Sequence, residues 1–170
     1  KHRRRQRQMC IRDRIGHAYE SIGFVALKGH FLKEALVASL YKEVKAFFDL
    51  PLSTKKQYEI PGIGGQRGYV SFGKESAKGR KEGDLKEFWH FGQFVENNPM
   101  LEKEYHPNVE VKELENFNAV GKQTYRMLEK TAKYVLRALA LYLDLEETYF
   151  DAFIHNGNSI LRPIHYPPIT

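Results

Sequence analysis

Between Leu32 and Phe48 the apolar side chains Leu32, Leu36, Leu40, Val44, Phe47 and Phe48 return every three or four residues, with polar positions between them. That period predicts an amphipathic helix, stopped by Leu50-Pro51. The same period runs longer further on, where Leu114, Phe117, Gly121, Tyr125, Leu128, Ala132, Val135, Leu139 and Tyr142 share one stripe. They predict a helix of about 30 residues, of the kind that braces a domain. Gly121 on that stripe predicts close packing against another backbone. Ile15 to Ile22 reads as the last turns of an earlier helix, Ser53 as the cap of a short one, and Glu146 to Phe150 as the start of another.

Between these helices the period shortens to two. Gly23 to Lys28 has the β-branched and aromatic content of a buried strand. From Leu85 to Phe91 the alternation places Phe88 and His90 on one face and Trp89 and Phe91 on the other. Ser159 to Tyr166 reads as a strand whose ladder is restricted on one side by Pro163. Pro61 to Tyr69 holds Gly62, Gly64, Gly65 and Gly68, which miss the G-x-G-x-x-G spacing of a phosphate cradle and read as a loop. Gly73 to Asp84 is rich in glycine and lysine and reads as a mobile surface loop. The fold class is α+β, with no internal repeat.

Composition and charge narrow the function classes. A chain of 170 residues, 42% apolar and 28% charged, is globular, and excludes disorder, collagen and a disulfide scaffold. The formal net charge of +6 suggests a polyanion-binding protein until it is located. Residues 1 to 14 carry seven basic side chains and one acid, leaving 20 of each sign in the other 156 residues. Only this basic tail supports a nucleic-acid reading, and Phe88, Trp89, Phe91 and Tyr105 are not interleaved with basic clusters, so no nucleic acid is expected as a partner. The single cysteine, Cys10, excludes an intrachain disulfide. No apolar run reaches the roughly 20 residues a membrane span requires. No apolar region follows the basic run, so a secretory signal is not expected and the reading is cytoplasmic, with no membrane partner.

Local motifs assemble no active site. Of His2, His17, His30, His90, His106, His155 and His165, none has Asp or Glu two residues later and none forms a His-Glu-x-x-His pair. No nucleophile elbow and no paired-carboxylate arrangement stands out.

Three separated motifs, taken in order, carry a resemblance. They are Gly23-Phe24 with Lys28-Gly29-His30; Arg67-Gly68-Tyr69 followed by Asp84-Leu-Lys-Glu-Phe88; and Asn158-Ser-Ile-Leu-Arg162 with His165-Tyr-Pro-Pro168. Together, over about residues 15 to 170, they resemble the N-terminal half of the isopenicillin N synthase-like 2-oxoglutarate/Fe(II)-dependent dioxygenases. Phe31 departs from the glycine that usually follows Gly-His in that family, which bears on the geometry of that turn.

The resemblance implies a double-stranded β-helix, or jelly-roll, oxygenase that holds Fe(II) with two His and one carboxylate and uses 2-oxoglutarate and O₂ to oxidise a small-molecule substrate. It implies that the iron ligands lie beyond residue 170, so that no catalytic or metal residue is expected in this chain and the 170-residue polypeptide is expected to be inactive. The implied layout has a basic tail over 1–14, read as foreign to the natural protein. It continues with an N-terminal dioxygenase region over 15–157 and the start of an incomplete jelly-roll core over 158–170. Tyr166 and Arg162 match positions for the cosubstrate or an acid substrate, and Gln66, Arg67, Tyr69, Phe88 and His90 match the border and walls of the substrate pocket. A fold relative that has lost the iron site and binds a ligand or partner is the alternative.

Overall fold

The computed structural model describes residues 2–76, 83–96 and 98–168. The backbone divides into two units, one formed by residues 1–33 and 126–157, the other by 34–125 and 158–170.

The second unit holds the sheet. Helix α2 (Glu34–Phe48) delivers Phe47 and Phe48 to the interior, as its three-to-four period requires. Pro51, with its φ near −53°, then starts α3 (Leu52–Lys55) and a 3₁₀ turn over Lys56–Tyr58. Ser53 lies inside α3 and caps nothing; the proline takes the cap position, where its fixed φ already suits a helix start. Strands β1 (Gly68–Val70), β2 (Glu87–His90) and β3 (Ile164–His165) form an antiparallel sheet in the order β1-β2-β3. The expected strand from Ser159 is realised as β3 together with a bridge between Leu161 and Phe91. Pro163 still contributes its carbonyl, which accepts from the Trp89 amide at 3.0 Å, but without an N–H it cannot return the bond, so this pair keeps one of the two hydrogen bonds an antiparallel pair would exchange there.

One face of this sheet is the core. Phe47, Tyr58, Tyr69, Trp89, Phe91, Phe117 and Tyr125 form an aromatic cluster, with Phe47 and Trp89 at 4.8 Å and Trp89 and Phe117 at 5.1 Å between ring centres. Edge-to-face pairs of this kind add to the area they bury. Gly68 makes the entry to β1 possible: its φ is +75°, and a Cβ there would collide with the Tyr58 carbonyl. Short α4 (Pro99–Glu104) is capped by the Asn98 side chain, which accepts from the Leu101 amide.

Helix α5 (Phe117–Tyr142) is the long helix, 26 residues where about 30 are expected, because residues 114–116 form the turn that leads into it. Gly121 is tight as expected, but against a side chain: a Cβ there would lie 2.2 Å from the Phe91 ring.

In the first unit, helix α1 (His2–Ser21) runs without a break through Arg14 and buries Ile15. Arg12 donates to the Leu141 carbonyl at 3.2 Å. Residues 24–27 carry no regular secondary structure and pair with no strand among the described residues, so the expected buried strand is not formed. Its alternation survives, with Val25 and Leu27 half-buried and Phe24 exposed. After α5 the chain turns through Asp144, at φ 56°, and α6 (Asp151–Ile154) begins later than expected, since residues 147–150 are turn. Asp151 accepts from Arg137 at 2.5 Å and pairs with Lys133 at 3.0 Å; the Arg137 guanidinium first, then Lys133, holds its carboxyl down to about 2.

Candidate functional site

The site lies on the sheet face turned away from the aromatic core. Pairing sets Gly68 opposite His90 and Val70 opposite Phe88, while β3 sets Ile164 opposite Phe88. Because successive side chains alternate, Val70, Phe88, His90 and Arg162 share this outer face. With Ile60, Gly65 and Glu75 they line a cleft of about 490 Å³.

At its base His90 joins two elements. Its Nδ1 lies 2.6 Å from the Gly65 carbonyl, and its Nε2 accepts from Arg162 Nε at 2.5 Å. A guanidinium only donates, so Nε2 must carry the lone pair and Nδ1 the proton, which it gives to Gly65. The ring is therefore neutral. Burial pushes its pKa down to about 4, with the Gly65 bond acting against that and the Arg162 charge adding to it.

Arg162 lies over the Phe88 ring, 4.4 Å from its centre, in cation–π geometry. Its Nη1 faces both oxygens of Glu75 at 3.3 Å. Glu75 is held more closely by Lys86, at 2.7 Å, and Lys86 also pairs with Asp84 at 2.9 Å. Lys86 first, then Arg162, keeps the Glu75 carboxyl below its ordinary value against the opposing pull of burial.

The structure brings together Tyr69, Phe88, His90 and Arg162 of the expected residues at this cleft. Tyr69 borders it with its hydroxyl turned inward to donate to Glu87, a placement that follows from its register opposite Trp89. Burial first and the hydrogen bond to Glu87 second raise its pKa. Gln66 is exposed and contributes its backbone carbonyl, which accepts from Arg67 at 2.8 Å. Arg67 is 1% exposed, with its second terminal nitrogen on Asn158 at 3.1 Å; it ties the glycine loop to the start of the third strand instead of presenting charge to the cleft. Tyr166 is exposed and lies outside the cleft lining.

Two features carried no sequence signal strong enough to find them. Glu75 sits in a glycine- and lysine-rich stretch with no period. Glu87 shares the parity of Trp89 and Phe91, and an acid at such a position demands partners. Lys55 supplies one at 2.8 Å, Tyr69 another and His165 a third at 2.9 Å, while His165 stacks on Phe48 at 5.1 Å. Burial raises the Glu87 carboxyl, but these bonds outweigh it and leave it net below its ordinary value. Residues 77–82 of the expected surface loop lie outside the described residues; its base is closed by Gly73 donating to Asp84 and Asp84 donating to Glu75.

A family model described as the N-terminal region of non-haem dioxygenases in morphine synthesis matches residues 3–113, more than half of the chain. The chain belongs to the non-haem 2-oxoglutarate/Fe(II)-dependent dioxygenase family. Among its relatives, a 2-oxoglutarate-Fe(II) type oxidoreductase of Aspergillus fumigatus is 32% identical over 96% of this chain and 48% of that protein. The crystal structure of a 2OG-Fe(II) oxygenase family protein from Caulobacter crescentus superposes with a TM-score of 0.86, at 38% identity, covering 95% of this chain and 53% of that one. A full-length Neurospora crassa protein crystallised in complex with α-KG superposes with a TM-score of 0.74, at 27% identity, over 92% of this chain and 45% of the other. This dioxygenase chain thus spans about half the length of the curated relatives it matches. The family cofactors are Fe(II) and 2-oxoglutarate. Among the described residues no group of three or more His, Cys, Asp or Glu side chains is placed to hold a metal ion. His90 cannot serve as one, since both its ring nitrogens are engaged. Among the described residues no helix is long and apolar enough to cross a membrane.

Proposed function

We propose that this chain is the N-terminal part of an oxygenase that uses Fe(II), 2-oxoglutarate and O₂ to oxidise a small-molecule substrate. On this reading it contributes one wall of the substrate pocket while the His-x-Asp and second His that hold iron lie beyond residue 170. The observation that carries the reading is the cleft itself: a guanidinium fixed by His90, beside an aromatic wall, on the sheet face opposite the core. Iron and 2-oxoglutarate supply the oxidising chemistry when bound. What the residues here do is orient: Arg162 offers positive charge to an acid group, Phe88 and Val70 give an apolar wall, and Tyr166 has a phenol able to donate to a carboxylate. The family match over residues 3–113 supports the reaction class.

The test is Fe(II)-dependent formation of succinate from 2-oxoglutarate, measured for this chain and for the longer product of its reading frame. Turnover is expected only from the longer protein. In it, Tyr166→Phe should raise the 2-oxoglutarate KM by about tenfold, for a lost hydrogen bond of about 1 to 2 kcal/mol. Iron-dependent turnover by the 170 residues alone would sink the division of labour, and a longer protein that is inert with iron supplied would sink the oxygenase reading.

A further inference from the structure

Arg162 is held on three sides, and only one of the three contacts is weak. Its Nε is fixed by His90 at 2.5 Å and its plane by Phe88, both from β2, a buried strand. Its outward nitrogen meets Glu75 at 3.3 Å through both oxygens, longer than the roughly 2.7 to 2.9 Å of a well-formed charge-assisted bond. Glu75 has its close partner elsewhere, in Lys86 at 2.7 Å, so leaving Arg162 would not strand its charge. A neutral group would gain little at that edge, because it cannot match the charge Glu75 already supplies. A second carboxylate can.

We propose that the cleft binds a small molecule through a carboxylate on Arg162, that Glu75 occupies this place until the ligand displaces it, and that His90 is the positioning residue that aims the guanidinium. This rests on the substrate-pocket reading above and names its ligand class. His90 acts through Arg162: a neutral ring locked on the Gly65 carbonyl leaves Nε2 one direction in which to accept, and that direction sets which edge of Arg162 faces the cleft. The apolar neighbours Phe88, Val70 and Ile60 suit an aromatic or aliphatic body behind the carboxylate.

The experiment titrates the 170-residue chain with benzoate and, separately, with benzamide, which has the same shape without the charge. The readout is the ¹⁵N–¹H signal of Arg162 Nε, assigned by its loss in Arg162→Lys. Benzoate is expected to shift it saturably and benzamide is not. Glu75→Gln, which removes the competitor, should tighten benzoate about tenfold. His90→Phe should weaken it about tenfold, and His90→Gln, whose amide oxygen can accept in place of Nε2, should recover part of the loss. Equal response to the two probes, or an unchanged or weaker benzoate affinity in Glu75→Gln, overturns the proposal. If circular dichroism shows that His90→Phe does not fold, the Glu75→Gln arm decides alone. The binding is read without iron, so an absence of turnover in the longer protein sinks the oxygenase reading and leaves this one standing, and failure of the titration does the reverse.

Discussion

A buried neutral histidine ties stability to pH, and His90 sets the sign of that dependence. In the unfolded chain it titrates near 6.5, whereas in the fold it resists protonation down to about 4. Between these values the unfolded state binds the extra proton, so stability is fully present above about pH 6.5 and falls as pH drops toward 4. The full difference amounts to about 3 kcal/mol at about 1.4 kcal/mol per unit. Denaturant melts at pH 7 and pH 5 should therefore show a wild-type loss that is reduced by about 2 kcal/mol in His90→Gln. Equal losses in the two proteins would show that the fold does not hold the His90 ring neutral. The sequence pattern places His90 beside Phe88, because alternation alone determines that parity. Its hydrogen bonds join residues 25 and 72 positions away, and no local pattern encodes them. Arg67 shows the other side of this: a motif matches it to a pocket border, while its 1% exposure and its bond to Asn158 arise from long-range packing that no motif encodes.

Helix α5 weighs propensity against packing at one residue. By helix propensity alone, Gly121→Ala should stabilise by about 1 kcal/mol. The added Cβ, however, falls 2.2 Å from the Phe91 ring, which is itself 2% exposed and packed on Trp89 and Phe117. Overpacking of this kind costs about 1 to 3 kcal/mol, so the variant should be less stable on balance. In Phe91→Leu the clash is relieved, and the same Gly121→Ala change should then become neutral or favourable, a coupling that a double-mutant cycle of melts would measure. A more stable single variant would show that α5 and β2 are further apart than described. The helices are legible in the sequence because their period is local; α2 and α5 both begin within three residues of where the apolar spacing puts them. Gly23 to Lys28 is read as a buried strand from its composition, yet burial of a strand depends on a neighbour that composition does not specify. Ser53 fails for a related reason, since Pro51 fixes the helix start ahead of it.

At the scale of the whole molecule, the sheet has an unprotected edge. In the order β1-β2-β3 the last strand pairs with β2 on one side, and its other side has no hydrogen-bonded strand among the described residues. Along it Ile160 is 40% exposed, Ile164 41% and Tyr166 67%. An apolar edge with open backbone groups is a template for pairing with another chain. Charge does not oppose such pairing, because residues 15–170 carry 20 basic and 20 acidic groups and the net charge of +6 resides in the first 14. The chain is therefore expected to bind a hydrophobic dye in its native state and to self-associate at micromolar concentration, more strongly than its composition suggests. Ile164→Lys places a charge on the edge without entering the aromatic core, and should lower both dye fluorescence and apparent mass in light scattering while Trp89 fluorescence stays unchanged. Raised salt should not weaken the wild-type association, as expected for apolar contact that does not depend on charge attraction. A monodisperse wild-type monomer with no dye enhancement would mean that the β3 edge is covered within the chain itself.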